Sequence, residues 1–87
     1  MILRPSVQRF AEAMEEQLRK HDDRPGWRNA DWAYLSEEMG DHIDTLIERS
    51  NDPIFGTQAI VSSAADIGNF AMMLAEVLTG DYADAGN

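Results

Sequence analysis

The sequence predicts an all-α chain of three helices, closed into a helical bundle by homo-oligomerisation. Apolar residues recur at helical spacing in three separate stretches, and no stretch reads as a strand. Turn punctuation, Pro25-Gly26 and Asn51-Asp52-Pro53, divides those stretches. The third stretch is apolar on every side, which a single domain of 87 residues has too little core to bury.

The first helix is expected from Ser6, an N-cap after Pro5, to about Lys20, with Val7, Phe10, Met14 and Leu18 on its packing stripe. His21 to Trp27 then forms a turn. The second helix starts near Asn29 or Asp31 and ends near Arg49, with Trp32, Leu35, Met39, Ile43, Leu46 and Ile47 as its apolar stripe. Asp52-Pro53 offers an N-cap and a first-turn proline for the third helix, and Gly56-Thr57 offers a second possible start. That helix runs to Thr79, with Gly80 as the residue that ends it, and residues 81–87 are expected to fray. The whole chain, 1–87, is read as one domain.

The composition narrows the function. There is no cysteine, so disulfides, thiolate metal sites and cysteine nucleophiles are excluded. Nothing resembles a cleavable signal, and Gln58, Ser62, Ser63, Asp66 and Asn69 interrupt the third helix too often for a lone membrane span; the expected location is cytoplasmic, without a membrane. The net charge of -9 is uneven: residues 1–30 carry six Lys/Arg against five acids (+1), and residues 31–87 carry Arg49 against eleven acids (-10). Such a surface repels phosphate backbones, so direct nucleic-acid binding is not expected.

Asp66 is the focus, because it is the only charged residue between Pro53 and Ala75 and falls among Ile67, Phe70, Met73 and Leu74. An ionised carboxylate there costs several kcal/mol unless a positive group meets it. An arginine or lysine of the first helix, or the hydroxyls of Ser62 and Ser63, would meet it within the fold; a divalent cation would make it a site. Glu38 and Asp41 are three apart on the second helix and can approach a common point, although acids at 37, 41, 44 and 48 also read as a solvated face. If the bundle packs Asp66 near Glu38 and Asp41, three like charges call for Mg²⁺ or Mn²⁺. His42 lies on the apolar stripe and reads as a packing residue. Lys20, Arg24 and Trp27 form the one basic and aromatic neighbourhood, where phosphates and a base would be met, and Asn69 is one turn on from Asp66.

The segments RFAEAMEEQLRKHDDRPGW at 9–27, LSEEMGDHID at 35–44 and SAADIGNFAMMLAEV at 63–77 resemble the MazG-like all-α nucleoside triphosphate pyrophosphohydrolases, especially the short phage-type members. The resemblance implies Mg²⁺-dependent cleavage of a nucleoside triphosphate to a monophosphate and pyrophosphate. It implies metal ligands at Glu38, Asp41 and Asp66, contacts to the nucleotide from Lys20, Arg24, Trp27 and Asn69, and no catalytic side chain beyond the metal site. Ser63 stands where the family has a further glutamate, and His42 where it has an aliphatic residue. The competing expectation is an inactive relative that binds a protein partner through its acidic surface, as a phage-encoded inhibitor would. A third is a purely structural helical oligomer.

Overall fold

A computed structural model describes residues 1–83 and contains, among them, three helices and no strand: α1 (Pro5–Arg19), α2 (Trp32–Ser50) and α3 (Thr57–Thr79). α1 begins two residues earlier than Ser6 as an N-cap would place it. Arg4, in extended backbone, is the N-cap and Pro5 takes the first helical position, where its fixed φ suits the helix and its missing N–H leaves no donor unpaired. Asp31 caps α2 through a hydrogen bond from Ala33 N to its carboxylate at 3.0 Å.

Of the two possible starts for α3, the chain uses Gly56-Thr57. The Asp52 carboxylate instead accepts from Ile54 N at 3.1 Å and its carbonyl from Phe55 N at 3.1 Å, closing a separate turn before the helix begins. Gly80 ends α3 with a φ of 73°, the left-handed conformation that glycine adopts without a Cβ penalty, and its N–H donates to Glu76 O. Of the tail expected to fray, Tyr82 donates to Arg28 O at 2.7 Å and Ala83 N to Glu76 at 2.9 Å, and residues 84–87 lie outside the described residues.

α3 is the shared element: it packs on α1 and on α2, and among the described residues α1 and α2 do not pack on each other. Gly68 lets α1 come close, since a Cβ there would stand 2.8 Å from a ring carbon of Phe10 and 3.3 Å from Met14 Sδ. The resulting V is open. Among the described residues only Leu35 and Ala65 are buried hydrophobic ones, beside three buried polar ones, Gln17, Ser63 and Asn69. The accessible surface is 6438 Å², against about 5,100 Å² for a compact monomer of this mass. The radius of gyration, 13.7 Å, likewise exceeds the roughly 12 Å of a compact chain of this length.

α3 alone among the described helices is long and apolar enough to cross a bilayer, with a mean hydropathy of 1.2 over its most apolar window, 17% of it buried.

Candidate ligand-binding cleft

The open mouth of the V is a cleft of about 170 Å³, floored by the middle of α3 and walled by the end of α1 and the first half of α2. Asp66 and Asn69 come from the floor, Gln17, His21 and Arg24 from the α1 side, and Tyr34, Glu38 and His42 from α2. A hollow of about 320 Å³ adjoins it, sharing Arg24, Tyr34 and Phe70 and reaching Trp27 in the turn between α1 and α2.

Asp66 is partnered from both walls. Its Oδ1 accepts from Gln17 Nε2 at 3.0 Å, and its Oδ2 stands 3.8 Å from His42 Nδ1. Gln17 in turn accepts from Lys20 Nζ at 2.8 Å, so the lysine reaches the carboxylate through an amide. The Asp66 side chain keeps 24% of its exposure, turned to the cleft rather than sealed in a core.

Asn69 is the more unusual group. It is 4% exposed and its Nδ2 donates to Met14 O at 3.0 Å, yet its buried Oδ1 has no hydrogen-bond partner among the described residues. The bond to a carbonyl fixes which end of the amide is which, because the reverse orientation would set two oxygens against each other. Buried amide oxygens are rarely left without a donor, and this one belongs to a residue that lines the cleft.

The upper wall is electrostatically mixed. Tyr34 donates to Glu38, and that carboxylate holds the phenol above its usual 10.0 despite opposition from Arg24. His42 stacks obliquely on Phe70, ring centroids 5.1 Å apart, and so packs as the apolar stripe predicts while also facing Asp66. Trp27 donates its indole N–H to Glu76 at 2.8 Å, which anchors the turn to α3.

The structure thus brings Glu38, Arg24, Asp66 and Asn69 into one cleft, with Trp27 in the adjoining hollow and Lys20 behind Gln17. Asp41 is exposed on α2 and does not line the cleft. Ser63, 1% exposed, accepts from Arg49 Nη1 at 2.6 Å, so the position of the expected glutamate faces a guanidinium. Among the described residues no three His, Asp or Glu side chains are grouped to hold a metal ion. Glu38, Asp66 and one amide oxygen, with an arginine on the cleft wall and another at Ser63, do not fit a multi-carboxylate Mg²⁺ site. Sequence reasoning missed Gln17, Tyr34 and the outward side of His42: Gln17 is 49 residues from Asp66, a separation at which no periodicity signals contact. Comparison of the chain with protein-family models, curated proteins and solved structures finds no match.

Proposed function

We propose that the cleft binds a nucleotide and that the chain is a cytoplasmic, self-associating MazG-like relative that does not carry out metal-dependent hydrolysis. The observation that carries this reading is the unpartnered Asn69 Oδ1 beside the Asp66 carboxylate. With Glu38 on the α2 wall they present a set of acceptors, complementary to the amino and ring N–H groups of a base. The rings of Tyr34 and Phe70, and Trp27 beyond them, suit the base's face, and Arg24 with His21 suits a phosphate. The ungrouped carboxylates support binding over hydrolysis.

The test is thermal denaturation with a panel of nucleoside mono- and triphosphates, with and without Mg²⁺, while pyrophosphate release is followed. A nucleotide at 100 times its dissociation constant stabilises by about 2.7 kcal/mol. The expected result is stabilisation by a nucleotide bearing an amino group, independent of Mg²⁺, lost in Asn69→Leu, and without pyrophosphate. Mg²⁺-dependent release, the activity that the resemblance implies, would overturn the non-catalytic part; no stabilisation by any nucleotide would overturn the whole.

The -10 balance of residues 31–87 favours a second reading, an acidic surface that docks on a basic protein partner. Salt-sensitive capture of a basic protein by chain that binds no nucleotide would select it.

A further inference from the structure

Behind the cleft, α3 presents a second face. Ile60, Ala64, Ile67, Ala71, Leu74 and Leu78 follow one another at alternating four- and three-residue steps, the d-a-d-a-d-a order of a coiled-coil seam. None of the six is buried: Ala71 and Leu78 are exposed and the others half-buried. The seam's neighbours on one side pack on α1, through Gly68 against Phe10 and Met14; those on the other pack on α2, through Ser63 to Arg49 and Phe70 to His42. The α2 shoulder turned away from Glu38 continues it with exposed Trp32, Ile43 and Ile47.

We propose that this seam pairs with the same seam of a second copy of the chain, antiparallel, about a two-fold axis level with residue 69. The inference deepens the self-association named above and rests on it, but not on the nucleotide.

Three observations select a second copy. First, opposed chains place a opposite d, so Ala64 meets Leu74 of the partner subunit and Ala71 meets Ile67 of the partner subunit, a small residue against a large one in each inner layer, with Ile60 against Leu78 of the partner subunit closing the ends. A parallel pair would set alanine on alanine and leave gaps in two layers. Second, the chain exposes about 1,300 Å² more than a compact monomer of its mass, enough for the roughly 800 Å² that each partner of a stable complex gives up. Third, the seam has no polar side chain, and Asp66 lies about 100° round α3 from Ile67. Two chains of net charge -9 therefore meet without a buried charge, although their remaining surfaces repel.

The absence of cysteine makes the test direct. Ala64→Cys and Leu74→Cys are made separately and oxidised alone and as a mixture, and the wild type is sedimented at low and high salt without nucleotide. The expected results are a dimer that tightens as salt screens the repulsion, disulfide linkage in the mixture, and little in either variant alone, because like positions lie about 15 Å apart along the axis. A monomer throughout overturns the pairing, whether the free chain stays in solution or co-floats with phosphatidylcholine vesicles, the outcome that would give the face to lipid. Cross-linking of either variant alone as efficient as in the mixture overturns the antiparallel register. A failed nucleotide titration leaves all of these readouts standing.

Discussion

Asp66 and Ile67 are consecutive residues on α3, and the roughly 100° between them separates two unlike surfaces. Asp66 opens on a cleft and is itself met from within the chain, by Gln17 from α1, His42 from α2, and Lys20 through the glutamine. Ile67 lies on a seam that has no polar side chain and that its own chain leaves half-buried at Ile60, Ala64, Ile67 and Leu74 and exposed at Ala71 and Leu78. The two faces differ in what would complete them. Beneath the cleft one acceptor, Asn69 Oδ1, has no donor among the described residues, whereas the seam lacks a layer of apolar surface; a small ligand would suit the first and a macromolecular face the second. A helix apolar by composition can therefore carry both a site and an interface, provided the few polar residues share one sector.

The largest effect that would break this contrast is a charge moved across it. Ile67→Asp puts a carboxylate into the middle of the seam twice per pair, and burying an unpaired charge costs several kcal/mol. The expected outcome is a rise in the dimer dissociation constant of about a thousandfold, or about 4 kcal/mol, measured by sedimentation equilibrium. Asp66→Asn, one residue away, is expected to leave that constant unchanged. Equal effects at 66 and 67 would mean that the faces are not separate.

Much of this was legible in the sequence and some was not, for physical reasons. The three helices and the stop at Gly80 are written in local periodicity and capping chemistry, which act over a few residues. Asp31 was recoverable as a cap because its role is local, whereas Ser6 lost the equivalent role to the pre-set φ of Pro5. Asp66 and Asn69 stood out as polar groups in an apolar run, and the structure does bring them to one cleft. Gln17 on Asp66, Arg49 on Ser63 and Trp27 on Glu76 were not legible, because each joins different helices or turns, and crossing geometry leaves no trace in spacing. Ser63 shows the cost of reading a position alone: as a missing acid it looks like a lost ligand, and in place it is the acceptor for a guanidinium. A glutamate introduced there would meet Arg49 first.

Gly68 marks the edge between the faces and gives the next largest effect. Gly68→Leu drives a branched side chain into the space held by the Phe10 ring and Met14 Sδ, and overpacking of this kind costs about 2 kcal/mol. The melting temperature should fall by about 10 °C, with α1 displaced. An unchanged melting temperature would show that α1 is not seated on α3 as described.

Asn69→Leu tests the cleft face in the opposite direction. The substitution gives up the bond to Met14 O, a carbonyl that keeps its helical partner at Leu18, and it removes a buried acceptor whose isolation costs about 1–3 kcal/mol. The variant should therefore be about 1 kcal/mol more stable than the wild type, melting about 5 °C higher, while losing the ligand. Stability gained with binding lost is the signature of a polar group kept for function; a large loss of stability would make Asn69 a structural residue instead.

The smallest effect concerns Glu76, which lies near the end of α3 and ties in two outlying segments. Its carboxylate accepts from Ala83 N at 2.9 Å and from the Trp27 indole at 2.8 Å, and these bonds, the first more than the second, hold its pKa below the usual 4.5. Because the folded chain favours the ionised form, Glu76 contributes stability above its ordinary pKa and loses that contribution as pH falls through the lower folded value. Glu76→Gln has no such titration, so it should melt slightly below the wild type at neutral pH and together with it in acid. Melting curves taken from neutral pH down to about pH 3 decide the matter. A gap that persists unchanged at the acid end would mean that the glutamate acts through packing, and that the turn carrying Trp27, which lines the hollow adjoining the cleft, is held by something other than this carboxylate.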